Sequence, residues 1–159
     1  MIAIWLVPSE EDKIFYQKII NELSKEYNTP LFEPHITLAA AKSTTSSQLN
    51  KLKSYYIASL PIKVNMKNLG SLGKYYQQVF ISGDGGQRLL NMWQKSLEVL
   101  EMPAYQFMPH LSLLYGNLHK ETVQVILDKY KDELDRTIVI ESVKIMDTGG
   151  EVADWKAES

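Results

Sequence analysis

The chain of 159 residues contains no cysteine. Disulfides, thiolate metal sites and a cysteine nucleophile are therefore excluded, and a reducing, cytoplasmic location is the expectation. An excess of positive charge is missing too. Seventeen lysines and arginines face 19 aspartates and glutamates, for a net charge of −2. A protein that tracks a long nucleic-acid backbone needs a basic surface, so no long nucleic acid is expected as a partner; a short nucleotide or small phosphodiester needs only a local site and remains compatible. Long apolar runs are also lacking. The opening Ile2-Ala3-Ile4-Trp5-Leu6-Val7 stretch is too short to cross a bilayer and lacks the basic start of a secretion signal. It reads as a buried first strand, and no membrane contact is expected. No Pro/Gly/Ser-rich linker interrupts the chain, and 45% hydrophobic content suffices for a core. Residues 1–159 are expected to form a single domain, acting as a monomer.

Histidine is scarce, with only three in the chain, yet two of them stand in matching strings. Pro34-His35-Ile36-Thr37 and Pro109-His110-Leu111-Ser112 share the pattern proline, histidine, apolar residue, hydroxyl. Each lies in a β-type apolar run, Phe32 to Ala41 and Phe107 to Tyr115. On an extended strand, residues i and i+2 project to one face, so each string sets an imidazole beside a hydroxyl. Two such pairs facing one cleft suit a phosphodiester held between an acid and a base. Histidine, with an ordinary pKa near 6.5, can fill either role at neutral pH. Thr37 and Ser112 can donate hydrogen bonds to the non-bridging oxygens, where negative charge develops. Two histidines are too few for a persuasive metal site; no metal and no cofactor are expected. Glu33 shares a face with His35 by alternation; it could orient the imidazole, and reads first as a solvated strand-edge carboxylate. His119, beside Lys120 and Glu121, lacks the pattern and reads as a surface residue.

Along the chain, periodicity and turn residues predict strands at 2–7, 32–40, 61–69, 74–82, 106–115 and 137–146. Helices are predicted at about 10–27, 46–59, 86–101 and 120–133. Gly83-Asp84-Gly85-Gly86 matches no phosphate-binding fingerprint and reads as a strand-to-helix turn with Asp84 as a cap. The order β-α-β-α-β occurs twice, with one histidine string in each half and 75 positions between His35 and His110. The expectation is an α+β fold of two pseudo-symmetric lobes around a central cleft. Each lobe would be an antiparallel sheet with helices packed outside.

The paired strings resemble the signature of the 2H phosphoesterase superfamily, in particular its cyclic phosphodiesterase branch. The match extends through Ile4-Trp5-Leu6-Val7-Pro8, Tyr75-Tyr76-Gln77-Gln78-Val79-Phe80 and Asp154-Trp155, and so covers nearly the whole chain. The resemblance implies metal-independent hydrolysis of ADP-ribose 1″,2″-cyclic phosphate and of nucleoside 2′,3′-cyclic phosphates, the latter to 2′-phosphates. It places catalysis on His35 and His110, phosphate binding on Thr37 and Ser112, and a substrate contact on Tyr115. Alternation alone would turn Tyr115 away from His110 unless the strand ends or bulges there. Trp5 and Tyr76 are candidates for stacking a base, with core packing the competing role. An RNA-end-processing relative (2′–5′ ligase-like or exonuclease-like) and a non-catalytic nucleotide-binding module are the alternatives.

Overall fold

Ser9 starts the first helix by accepting a hydrogen bond from the Asp12 N–H at 3.4 Å, with Glu10, Glu11 and Asp12 placed favourably for the helix dipole. In the computed structural model, which describes residues 1–158, this helix is α1 (Glu10–Tyr27) and follows strand β1 (Ile2–Pro8). The chain continues through β2 (Ile36–Ala41), α2 (Ser46–Ser59), β3 (Ile62–Gly70), β4 (Val79–Asp84) and α3 (Gly86–Val99). Then come β5 (His110–Leu114), α4 (Lys120–Tyr130), β6 (Arg136–Asp147) and a short β7 (Lys156–Ala157). Thr45 and Gln48 form a reciprocal capping box at the start of α2. Asp12 also clips α1 to the sheet: it accepts from the Val139 N–H at 2.8 Å and from Arg136 Nε at 2.7 Å. Burial acts to raise its pKa, but the Val139 N–H, Arg136 and Ser9 outweigh that and hold the carboxyl below its usual range.

The sheet runs β1-β2-β5-β4-β3-β6-β7, and a further pairing of β1 with β6 closes the first six strands into a ring. All of these pairings are antiparallel. The expected division into two lobes, each with its own sheet, is therefore corrected. β1 of the first half pairs along its whole length with β6 of the second, from Ile2↔Asp147 to Pro8↔Ile140, and β3 pairs with both β4 and β6. Closure leaves no long unpaired edge among these six strands, which two open sheets would have exposed.

The repeat survives inside the ring. Exchanging β1, β2, β3 with β4, β5, β6 maps every neighbour in the ring onto another neighbour. β2 and β5 meet at one register pair, Ile36↔Leu111, and at an offset of 75 this pair is its own counterpart. The pseudo-twofold axis thus passes beside the two histidines. The sheet buries two faces. Ile4 and Leu6 point into the main core with α1, whereas Ala3, Trp5 and Val7 on the opposite face form a smaller cluster with Met146.

Four element boundaries depart from the periodicity. Helix α4 ends at Tyr130, short of 133, and gives way to a 3-10 turn at Lys131–Leu134. Both histidine strands begin late, at Ile36 and His110, because Pro34 and Pro109 have no N–H to give the ladder. The predicted strand start at 74 is instead a tight turn, in which Gly73 takes φ +66° and Lys74 bridges Gln77. Beyond β6, the tail adds a 3-10 turn at Val152–Asp154 and strand β7, neither of which periodicity indicated.

Candidate active site

The two prolines free the chain to fold back on itself at each histidine. His35 Nδ1 lies 2.6 Å from the Glu33 carbonyl oxygen, and His110 Nδ1 lies 2.9 Å from that of Met108. A carbonyl only accepts, so each Nδ1 carries the proton and each Nε2 is left for chemistry. Glu33 thus orients His35 with its backbone, not its carboxylate. That carboxylate pairs with Lys144 at 2.7 Å and Lys13 at 3.2 Å, which corrects its reading as simply solvated.

Beyond each hydroxyl the strand bulges. Trp5 pairs with Thr37 but Ile4 with Ala39, so Leu38 is the extra residue in β2. Phe80 pairs with Ser112 but Val79 with Leu114, so Leu113 is the extra residue in β5. An extra residue reverses the alternation that follows it. Tyr115 therefore returns to the face of His110 and Ser112, against strict alternation. Its counterpart in the first string at the same offset is Ala40, which faces the same cavity.

That cavity has a volume of about 530 Å³, within the roughly 300–1,000 Å³ usual for small-molecule sites. His35, Thr37, His110, Ser112, Tyr115, Trp5 and Tyr76 all line it, so all seven candidates come together. A larger groove of about 810 Å³ lies between α2 and β6 and contains neither histidine. Trp5 stacks on His35, with ring centroids 3.6 Å apart and planes 9° from parallel. His35 is 5% exposed, and this burial pushes its pKa down to about 4, against the opposing pull of the Glu33 carbonyl and carboxylate. His110 is only partly buried and meets Phe80 edge-on at 5.3 Å. Thr37 makes no side-chain hydrogen bond among the described residues, whereas Ser112 Oγ donates to the Tyr76 carbonyl at 2.9 Å. The buried Tyr115 ring stacks on Phe32 at 3.9 Å; burial raises its phenol pKa, so the hydroxyl stays protonated. Tyr76 is 49% exposed and forms the rim. Among the described residues, no three His, Asp or Glu side chains converge as a metal set.

A family model described as cyclic phosphodiesterase-like protein matches residues 1–158. The chain belongs to this family. A relative from Arabidopsis thaliana, named cyclic phosphodiesterase, is 27% identical over 131 residues, covering 75% of this chain and 67% of the relative. The kinship read from the two histidine strings is thus the one found.

In this cyclic phosphodiesterase-like chain, several cavity residues escaped the sequence reading of the site. Trp155 comes from the tail and contacts Trp5, Tyr76 and Tyr115 at centroid distances of 5.9, 5.8 and 5.8 Å. Its indole Nε1 is buried without a partner. A lone tryptophan after Gly149-Gly150 was visible, but nothing local said that the tail returns to the cleft. Phe80 touches His110 without lining the cavity, and it was findable, because the offset of 75 that relates His35 to His110 also relates Trp5 to Phe80. Gln77, which lay within the matching Tyr75–Phe80 stretch, also lines the cavity, as do Lys74 and Thr148, which no sequence signal marked. Asp84 accepts from the Gly86 N–H at 2.8 Å, but the N-cap of α3 is Gly85 and no side chain caps it, which corrects the reading of Asp84 as the cap. His119 is at the start of α4, outside the cavity.

Proposed function

We propose that the protein is a metal-independent cyclic phosphodiesterase. Its substrates in this reading are nucleoside 2′,3′-cyclic phosphates, opened to 2′-phosphates, and ADP-ribose 1″,2″-cyclic phosphate. The observation that carries the reading is the pair of imidazoles of defined tautomer in the lining of one cavity, His110 at the start of β5 and His35 just before the adjoining β2. His35 is the base, because its lowered pKa leaves Nε2 unprotonated at pH 7. It takes a proton from water as the water oxygen bonds to phosphorus. The bond from phosphorus to one ring oxygen breaks in line, and His110 Nε2 gives a proton to that leaving oxygen. Return of a proton to His110 and loss of one from His35 reset the pair. Thr37 and Ser112 donate to the non-bridging oxygens; Ser112 does so by turning its hydroxyl from the Tyr76 carbonyl. Tyr115, Trp5 and Tyr76 wall the nucleoside side of the site.

Turnover of a 2′,3′-cyclic nucleotide in the presence of EDTA tests this reading. Activity is expected to persist, with His35→Ala and His110→Ala each losing at least about a hundredfold in kcat, the scale of general acid–base groups. Full activity in either variant, or loss to EDTA reversed by a divalent ion, would overturn the mechanism.

A further inference from the structure

The cavity that holds the two histidines has no carboxylate among its lining side chains, in a chain that carries 19. One lysine lines it, Lys74. Lys74 comes from neither histidine strand but from the turn between β3 and β4. That turn is held in place at several points. Gln77 N–H donates to the Lys74 carbonyl at 3.0 Å, and Leu72 N–H to the Gln77 carbonyl at 3.0 Å. Gly73, at φ +66°, supplies the left-handed step that most side chains resist. The Tyr75 carbonyl accepts from Gly116 N–H at 2.9 Å and the Tyr76 carbonyl from Ser112 Oγ at 2.9 Å, tying the turn to the second histidine string. Lys13, Lys95 and Lys144 are each paired with a glutamate. Among the described residues, Lys74 pairs with no carboxylate. Its charge is thus unpaired, in the lining of the same cavity as His35, Thr37, His110 and Ser112.

We propose that Lys74 forms a second anion subsite. It would favour cyclic phosphates that carry another phosphate group elsewhere on the nucleotide over those that carry none. The proposal rests on the cyclic phosphodiesterase reading, in that the first phosphate is taken to sit between His35 and His110. Its physical basis is a charge-assisted hydrogen bond from the ammonium group to a phosphate oxygen, at a rim wet enough for salt to screen it.

Equilibrium binding separates this proposal from catalysis. Two ligands that mimic the product are titrated calorimetrically into the wild-type chain, Lys74→Gln and Lys74→Arg: adenosine 2′-phosphate and adenosine 2′,5′-bisphosphate. The wild type is expected to bind the bisphosphate about three- to tenfold more tightly, the scale of one partly exposed ionic contact. Lys74→Gln should bring that ratio near one, Lys74→Arg should keep most of it, and added salt should shrink it only where the charge is retained. An equal ratio in wild type and Lys74→Gln, or no binding of either ligand by the wild type, would overturn the subsite. If the ratio collapses in Lys74→Gln but no cyclic phosphate is turned over, the subsite stands and the phosphodiesterase reading falls.

Discussion

Trp5 covers one face of His35, whereas Phe80, its counterpart in the repeat, touches His110 only with an edge. Two residues equivalent in sequence are thereby placed in different surroundings, and the proposed acid–base pair calls for such a difference. Removing the cover should show it. Trp5→Leu hydrates His35, and the acid limb of the kcat/KM profile is expected to move up from near pH 4, where burial places the imidazole, toward the ordinary histidine value of about 6.5. The sign follows from the proposed base role: activity would fall as His35 gains a proton, and a higher pKa brings that fall at higher pH. An acid limb that stays in place would remove His35 from the base role. At this scale the sequence was most informative about what is contiguous. The two His-x-Thr/Ser strings were legible because their chemistry fits within four residues. The stacking that separates His35 from His110 was not, because Trp5 reaches His35 across the register of two strands.

Two of the helices were legible to the residue, since their punctuation is local. The capping box at Thr45 is one such signal, and Thr45→Ala is expected to lower unfolding free energy by about 0.5–2 kcal/mol in denaturant titration, with m unchanged. The histidine strands were legible in type but not in start or alternation. Proline delays each start, and a bulge after each hydroxyl reverses which residues face the cleft. A bulge has no composition of its own, so the sequence could raise it for Tyr115 only as a condition. The tail was the least legible element. Trp155 joins the aromatic wall from a segment that forms only a 3-10 turn and a two-residue strand, too short to show a period. Trp155→Ala is expected to raise KM about three- to tenfold, the scale of lost aromatic contacts, with kcat little changed. A fall in kcat with KM constant would place Trp155 outside substrate binding.

The closed ring binds the halves together, so the molecule is expected to unfold in one cooperative transition, with fluorescence and far-UV circular dichroism tracing coincident curves. Acid should weaken it. A group whose pKa is lowered by folding contributes stability above its unfolded value and loses it as pH falls through the folded one. His35 is such a group, between about 6.5 unfolded and about 4 folded, and Asp12 adds a second loss further down. The denaturation midpoint is therefore expected to fall between pH 6.5 and 4, and His35→Gln should flatten that span. A midpoint constant over this range would contradict the burial of a neutral imidazole. The pairing of halves was legible at this scale through the repeated element order. The ring was not, because β1–β6 pairing joins segments at opposite ends of the chain, and no turn between them records it.

A ring unchanged when its halves are swapped is also the shape that two copies of a half-length chain would build about a shared axis. In such a dimer each copy would bring one histidine, and both walls of the cleft would be identical. Joining the copies in one chain releases them from that identity. Ala40 and Tyr115 occupy corresponding places beside the cavity, one nearly bare and the other filled by a phenol ring. The covalent link is therefore what lets a symmetric frame hold an asymmetric substrate.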